Sequence, residues 1–206
     1  MAVVFSKRGI PVKEVSASRF QSVTDTTTSQ GILAVFDTPA RSLTKLYRPS
    51  YRKLLLCENI GDPGNLGTLI RSAAAFDFRL VCLIGACAEP YAPKVVRSSA
   101  GAIFAIAVVD STDVEALALA RSRSMRLVAT DSTGMSDPTG LSDMVRESSV
   151  MMAVGSEAEG LSPGLLHAAD LVVRLEHEAT VDSLNAAVAG SILMKRIYDF
   201  TREAVT

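Results

Sequence analysis

The chain lacks tryptophan, has few aromatic residues and carries almost no net charge. Aromatic residues make up 5% of its 206 residues, while 48% are hydrophobic and 21% charged. This composition excludes a disordered polypeptide and predicts one domain of ordinary size, with a short appendage and a core of Ala, Val, Leu and Ile. The formal net charge of −1 gives no general affinity for a polyanion. Binding of a nucleic acid would therefore need a local basic patch or a domain that this chain lacks.

Cysteines and long apolar runs are also scarce. The three cysteines, Cys57, Cys82 and Cys87, lie in or beside apolar strand-like runs and have no metal-ligand spacing to the two histidines. They predict buried, reduced thiols and no metal site. The longest apolar run, residues 102–109, is far shorter than the ~18 residues of a membrane span. No hydrophobic region follows the basic residues near the N-terminus, so we expect no secretory signal and a cytoplasmic protein.

Apolar runs alternate with amphipathic segments from Ile32 onward. Apolar, β-branched runs separated by segments of helix length predict an α/β protein, with a mainly parallel sheet flanked by helices. The predicted strands are 32–36, 53–57, 80–84, 103–108, 127–130, 150–154 and 171–175. The predicted helices are 68–76, 91–98, 114–125, 163–168 and 183–202. Asp113 and the pair Ser162-Pro163 offer helix starts.

Residues 1–30 differ from the rest of the chain. Residues 10–12 are predicted as a short strand and 16–20 as one helical turn, followed by a polar segment with three consecutive threonines. We expect this region to be the remnant or tail of an N-terminal domain, with residues 31–206 as the main domain. An irregular N-terminal arm is the alternative.

The most informative segment, residues 58–71, reads ENIGDPGNLGTLIR and directly follows a buried strand. A strand that leads through a glycine-rich turn into a helix places backbone N–H groups near a ligand. The segment matches neither the dinucleotide fingerprint nor a Walker A loop. We expect Asn65 in the turn and Arg71 in the first turns of the helix, both facing one cleft. The guanidinium of Arg71 suits a phosphate or ribose oxygen.

Two later segments have the same character. Residues 153–162, AVGSEAEGLS, follow a strand; Gly155 permits a close backbone approach, and Glu157 offers an acceptor at the mouth of the turn. Residues 181–189, VDSLNAAVA, open the long C-terminal helix, with Ser183 or Asp182 as the expected N-cap. The N-terminus of that helix exposes N–H donors that suit a carboxylate or phosphate.

Together the three segments resemble the motifs of the SpoU/TrmH family of S-adenosylmethionine-dependent RNA ribose methyltransferases, over roughly residues 50–200. The resemblance implies an α/β fold with a C-terminal trefoil knot of the SPOUT type, a rare exception to the rule against knots. It also implies a homodimer that methylates a ribose 2′-hydroxyl in structured RNA. Residues 1–30 resemble the end of an N-terminal RNA-binding domain common among rRNA-modifying members, so we favour rRNA over tRNA.

The resemblance also implies roles for individual residues. Arg71 would bind the acceptor phosphate or ribose and assist deprotonation of the hydroxyl, although an unperturbed guanidinium does not itself give up a proton. The active-site residues that would orient Arg71, the ribose and the cofactor are Asn65, Glu157, Ser183 and Asn185. The residues that would contact S-adenosylmethionine are Thr130, Val154, Gly155, Leu175 and Leu184.

One segment departs from the family pattern. Where the family usually has Ile-Pro-Met and then Gly two residues later, residues 175–179 read LEHEA, with Ala179 at the glycine position. This change adds two carboxylates to a cofactor-lining loop and alters its backbone freedom. The rival hypothesis is therefore a non-catalytic RNA-binding or assembly protein of the same fold. His177 is open to two interpretations, a base or a solvated loop residue.

Basic residues do occur in the segments around the first motif. We expect a dimer to gather some of them along one groove for RNA. These residues are Arg41, Lys45, Arg48, Arg52, Lys53, Arg71 and Arg97.

Overall fold

The computed structural model describes residues 5, 7–24, 28–39, 41–135, 138–178 and 180–203, and it divides the chain into two compact units, Met1–Thr38 and Pro39–Thr206. The first unit contains one described helix, α1 (Ala17–Gln21), whose N-cap Ser16 accepts a hydrogen bond from the backbone N–H of Arg19 at 3.4 Å. The predicted strands 10–12 and 32–36 do not form. Val35 is 88% exposed, and no described strand pairs with this apolar run.

A six-stranded parallel sheet forms the centre of the second unit, in the order β3-β2-β1-β5-β4-β6. The α/β class predicted from the sequence is confirmed. The strands are β1 (Lys53–Glu58), β2 (Leu80–Ile84), β3 (Ala107–Asp110), β4 (Arg126–Met135), β5 (Val150–Val154) and β6 (Leu171–Val173). The prediction for 103–108 was partly wrong, because a 3₁₀ turn (Ala102–Phe104) follows the left-handed Gly101 and delays the strand.

Helices cover both faces of this sheet. They are α2 (Leu43–Leu46), α3 (Pro63–Ala75), α4 (Pro93–Ser98), α5 (Asp113–Ser122), α6 (Pro138–Val145), α7 (Pro163–Ala168) and α8 (Ala186–Glu203). Helices α2 and α6 were not predicted. No helix within the described ranges combines the length and hydropathy that a membrane span requires.

Strand β1 is buried on both sides and separates two apolar clusters. Leu55 and Cys57 belong to the cluster that contains residues of α3 and α8, whereas Leu54 and Leu56 belong to the cluster with residues of α5 and α7. The alternation follows the period of two of a strand, and full burial of one such leucine contributes about 1.5–3 kcal/mol. The sheet is thereby fixed between two helical layers.

Local capping explains where two of the helices begin. Helix α5 is capped by Thr112 rather than Asp113: the hydroxyl of Thr112 accepts from the N–H of Glu115 at 3.2 Å, and the carboxylate of Glu115 accepts from the N–H of Thr112 at 3.1 Å. Helix α3 begins five residues earlier than predicted, because Asp62 is its N-cap and Pro63 fits its first turn.

Candidate functional site

The early start of α3 changes the position of Asn65. We predicted Asn65 in a turn, but it is the third residue of α3, and its N–H donates to Oδ1 of Asp62 at 2.8 Å. That bond is the main reason why the pKa of the Asp62 carboxyl is lowered. The side chain of Asn65 is therefore held at the N-terminus of a helix, beside the carboxyl edge of the sheet.

Three of the predicted active-site residues form one hydrogen-bonded network, which we call the amide–carboxylate network: Asn65, Glu157 and Asn185. Oε1 of Glu157 accepts from Nδ2 of Asn65 at 2.8 Å and from Nδ2 of Asn185 at 2.5 Å. Asn185 Nδ2 also donates to Oδ1 of Asn65 at 2.9 Å. The carboxylate of Glu157 thus binds two amide side chains, one 92 positions and the other 28 positions away in the chain.

Asn185 also starts the C-terminal helix. Its Oδ1 accepts from the N–H groups of Ala187 at 3.0 Å and Val188 at 3.2 Å, so Asn185 is the N-cap of α8 and the prediction of Ser183 or Asp182 was wrong. The N–H of Ala186 points at Oε1 of Glu157 at 3.4 Å. A carboxylate at a helix N-terminus is favoured by the helix dipole. Oε2 of Glu157 accepts no hydrogen bond from any described residue, which leaves it available to a ligand.

Arg71 lies outside this network. It is exposed and six residues after Asn65 on the same helix, about 240° around the axis at ~100° per residue. We expected Asn65 in the turn and Arg71 in the first turns of the helix, both facing one cleft. Asn65 instead lies on α3, and the angle between the two positions points their side chains in different directions. Arg71 has no hydrogen bond or ion pair with any described residue.

The carboxyl ends of β4, β5 and β6 border a cleft of about 320 Å³, which we call the carboxyl-edge cleft. All five residues expected to contact the cofactor line this cleft: Thr130, Val154, Gly155, Leu175 and Leu184. Glu157 and Ser183 also lie in its lining. Ser183 forms no hydrogen bond with a described residue. Ligands of open parallel sheets bind outside the carboxyl ends of the strands, and this volume suits a small molecule.

Gly155 is required by the shape of the cleft. The loop after β5 folds back, with the N–H of Gly160 donating to the carbonyl of Ser156 at 3.0 Å. A Cβ added at Gly155 would lie 2.1 Å from the backbone carbon of Gly160. Only glycine fits there, but the close contact is with the loop's own backbone, whereas the prediction was a close approach to a ligand. Gly67 of the first motif is required for helix packing instead. An added Cβ there would lie 1.9 Å from Oγ of Ser98, so glycine lets α3 and α4 pack closely.

The carboxyl-edge cleft is acidic. Its lining contains four carboxylate residues, Asp131, Glu157, Glu159 and Asp182, against Arg174 and His177. Sequence reasoning did not single out Asp131 or Arg174, although both directly follow residues at the ends of apolar runs, the position where polar ligand-binding groups gather. The charge suits a ligand with positive groups.

The divergent segment 175–179 contributes Leu175 and His177 to the cleft lining. Leu175 is buried and lines the cleft, whereas Glu176 and Glu178 are exposed and lie outside the lining. His177 is exposed at the rim, and its Nδ1 lies 2.9 Å from the carbonyl oxygen of Leu175. Ala179 lies outside the described residues. The added carboxylates therefore do not enter the cleft.

The cysteines are not part of the site. Cys57 and Cys82 are buried and Cys87 partly buried, all as free thiols. Burial raises the pKa of the Cys82 thiol to about 12 and that of Cys57 well above its usual range. Both therefore stay protonated and unreactive. Within the described residues, no group of three or more His, Cys, Asp or Glu side chains could hold a metal ion.

Comparison with known proteins gives a consistent family signal. Residues 52–195 match the model of the SpoU rRNA Methylase family. The chain is 31% identical over 186 residues to the 23S rRNA (guanosine(2553)-2′-O)-methyltransferase RlmP of Bacillus subtilis, covering 90% of this chain and 72% of RlmP. It is 33% identical over 145 residues to an uncharacterized tRNA/rRNA methyltransferase of Mycobacterium leprae, but this match spans only 46% of that protein.

A solved structure extends the likeness to the fold. The AdoMet-bound rRNA methyltransferase from Sinorhizobium meliloti superposes with a TM-score of 0.86 at 26% sequence identity. The superposition covers 96% of this chain and 75% of that one.

Proposed function

The chain belongs to the SpoU rRNA Methylase family, and on that basis we propose that it transfers a methyl group from S-adenosylmethionine to a ribose 2′-hydroxyl of ribosomal RNA. The observation that carries the proposal is the amide–carboxylate network of Asn65, Glu157 and Asn185 at the rim of the acidic cleft. It joins residues of all three motif segments on one carboxylate. Such a fixed arrangement is what positioning of an acceptor hydroxyl requires.

The carboxyl-edge cleft fits the cofactor. When bound, S-adenosylmethionine supplies an electrophilic methyl group on a positively charged sulfur. Thr130, Val154, Gly155, Leu175 and Leu184 would hold it. Gly155 lets the loop after β5 fold back beside the cleft, and the four carboxylates of the lining suit the sulfonium and ammonium groups.

The network residues would orient the acceptor. The two asparagine side chains fix the Glu157 carboxylate through Oε1, which leaves Oε2 as an acceptor for a ribose hydroxyl. Ser183, on the cleft rim without a described partner, can donate or accept a further hydrogen bond. These groups hold the hydroxyl in a defined direction and exclude competing rotamers.

Arg71 would act on the RNA rather than on the cofactor. Its guanidinium is exposed, has no described partner and lies on the helix that carries Asn65. It would bind the phosphate of the acceptor nucleotide and stabilise the negative charge that develops on the ribose oxygen during methyl transfer. The guanidinium itself stays protonated throughout.

Three finer features of the family complete the proposal. A C-terminal trefoil knot of the SPOUT type is proposed from the family alone. The exposed apolar side chains Val188 and Ile192 on α8 support a homodimer. The reduced, buried cysteines support a cytoplasmic location.

The rival hypothesis of a non-catalytic RNA-binding protein rested on the divergent segment 175–179. Glu176 and Glu178 lie outside the cleft lining, and Leu175 keeps its buried place within it. The two added carboxylates therefore do not obstruct the cleft, and titration with S-adenosylmethionine separates the rival hypothesis from the proposed function.

Mapping of ribose methylation tests the proposal in cells. We expect deletion of the gene to remove methylation from a ribose of rRNA, and the wild-type gene to restore it. The Arg121→Gln variant, altered at an exposed position of α5 outside the cleft lining and the network, should restore it as well. An unchanged rRNA methylation map, or a change confined to tRNA, would contradict the proposed substrate.

A further inference from the structure

A second cleft lies at the opposite edge of the sheet, where β1, β2 and β5 begin. Its volume is about 940 Å³, and residues near the end of α8 close one side. We call it the amino-edge cleft. The basic residues in its lining are Arg52, Lys53, Arg79, Arg146 and Arg202, and the only carboxylate among the described lining residues is Asp77.

One carboxylate, that of Asp77, offsets part of the charge of two of these five cations. Oδ1 of Asp77 lies 2.6 Å from Nε of Arg79, and its Oδ2 lies 3.6 Å from Nζ of Lys53. Lys53 is buried, donates to Oγ1 of Thr201 at 3.2 Å and lies 5.1 Å from the ring centroid of Tyr198. Burial lowers the pKa of its ammonium group. Lys53, Arg79 and Asp77 therefore form one ion-pair cluster in the lining of the cleft.

The other three cations, Arg52, Arg146 and Arg202, are exposed and form no ion pair with any described residue. Each is instead held by a neutral acceptor. Arg52 donates to the backbone carbonyl of Glu147 at 2.8 Å. Arg146 donates to Oγ of Ser142 at 3.3 Å, and Arg202 donates to the hydroxyl of Tyr198 at 2.7 Å. Their full charge and most of their N–H donors remain available.

Some other arginines of the chain are neutralised by carboxylates. Arg41, for example, is paired with Glu89 and Asp110, both at 2.8 Å. Three positioned guanidinium groups around one cleft, in a chain of net charge −1, concentrate positive charge at one place. Guanidinium forks match phosphate oxygens in geometry and charge.

We propose that the amino-edge cleft binds backbone phosphates of the RNA substrate, at a segment separate from the nucleotide that is methylated. The inference rests on the proposed function, which makes RNA the polyanion that this protein meets. Strand β1 has six residues, so the two edges of the sheet are about 20 Å apart at ~3.3 Å per residue. The contacted RNA must therefore extend several nucleotides beyond the acceptor, and a short acceptor fragment would not reach the cleft.

The test is the salt dependence of RNA binding by the double variant Arg146→Gln/Arg202→Gln. A folded rRNA fragment that contains the methylated nucleotide is titrated by fluorescence anisotropy at several salt concentrations. Loss of two phosphate contacts should lower the slope of log affinity against log salt by about 1.8 for duplex RNA, and weaken binding at about 0.1 M salt by roughly tenfold or more. The matched control, Arg121→Gln/Arg123→Gln, removes the same charge from the exposed end of α5 and should retain the wild-type slope.

Two further measurements separate this inference from the proposed function. A short acceptor fragment should bind wild type and double variant equally, and the methyl transfer rate at saturating RNA should be unchanged in the double variant. An unchanged slope, or an equal loss in the control, overturns the inference even if wild-type protein methylates RNA. If wild-type protein binds RNA but methylates none, the proposed function fails, and a lowered slope in the double variant still supports the cleft.

Discussion

The two clefts at opposite edges of one sheet differ in both size and charge. The carboxyl-edge cleft is small, at about 320 Å³, and contains four carboxylates in its lining. The amino-edge cleft is larger, at about 940 Å³, and contains five cations and one carboxylate. Although the net charge is −1, negative charge is therefore concentrated at one edge of the sheet and positive charge at the other. The composition alone hides this, because opposite local excesses cancel in the sum.

The direction of the strands and helices explains why each sign is tolerated where it occurs. In a parallel α/β unit the helices run opposite to the strands, so their N-termini lie at the carboxyl edge of the sheet and their C-termini at the amino edge. Carboxylates such as Asp62 and Glu157 are favoured at helix N-termini, and cations such as Arg202 at the C-terminus of α8. The dipoles thus support an acidic edge for a cationic cofactor and a basic edge for RNA.

Of the substitutions that separate cofactor binding from action on the RNA, removal of Arg71 should have the largest effect on methyl transfer. Because Arg71 does not line the carboxyl-edge cleft, the Arg71→Ala variant should bind S-adenosylmethionine like wild type. Methyl transfer should fall by about 10²–10³-fold, the range expected when a donor that stabilises developing negative charge is lost. The measurement is single-turnover methyl transfer, with cofactor affinity from calorimetry. Near-normal transfer would contradict the role of Arg71.

Asn185 allows capping and catalysis to be separated at the acidic edge. The Asn185→Ala variant should lose about 1 kcal/mol of unfolding free energy with the N-cap of α8, and much of its methyl transfer with the Glu157 contact. In Asn185→Ser the hydroxyl can cap the helix but cannot make both donor contacts, so stability should largely return while activity stays low. Full activity in the serine variant would show that Asn185 acts only as a cap. Thermal unfolding and transfer rates check both.

Gly67 tests whether the first motif serves packing as well as chemistry, since it borders neither cleft. In Gly67→Ala the added Cβ meets Oγ of Ser98 at 1.9 Å and the carbonyl oxygen of Val95 at 2.7 Å, so α3 and α4 must separate. We expect a loss of about 1–3 kcal/mol in denaturant unfolding. The control Gly140→Ala, with no neighbour within 4 Å, should be neutral or stabilising by up to about 1 kcal/mol. Similar losses in both would exclude the packing role.

Asp62 should give the smallest effect, through pH. Its pKa is lowered first by the N–H of Asn65, so its contribution to stability is present above the unfolded pKa of about 3.9 and is lost as pH falls through the lower folded value. Asp62→Asn keeps a capping acceptor at every pH. The difference in Tm between wild type and this variant should therefore change only in the acidic range. A constant difference across that range would contradict the ionised cap.

The sequence predicted the strands better than the helix starts. Strands β2 and β5 match their predicted ranges because short apolar runs bounded by polar residues leave little freedom in a buried parallel sheet. Residues 32–36 have the same pattern and form no strand, since pairing with another strand is a property of the whole fold. The start of α3 was missed because the cap at Asp62 and the proline at 63 were attributed to the turn.

The sequence predicted residues of the candidate site but not the hydrogen bonds that join them. The motif segments named Asn65, Glu157 and Asn185, and long-range hydrogen bonds brought them together. Arg71 was named as well, yet one helix cannot place residues six positions apart on one face. The amino-edge cleft could not be predicted, because Arg52, Arg146 and Arg202 come from separate parts of the chain and meet only in the folded sheet.

Calorimetric titration with S-adenosylmethionine tests the central claim, that the carboxyl-edge cleft is the cofactor site of a methyltransferase. We expect one cofactor to bind per chain in wild type and in Gly164→Ala, a control position with open space around it. Gly155→Ala should remain folded by circular dichroism but lose binding, because its Cβ would lie 2.1 Å from the backbone of Gly160 and displace the loop. Absence of binding to wild type at about millimolar cofactor, with and without RNA, or unchanged binding in Gly155→Ala, would contradict the account.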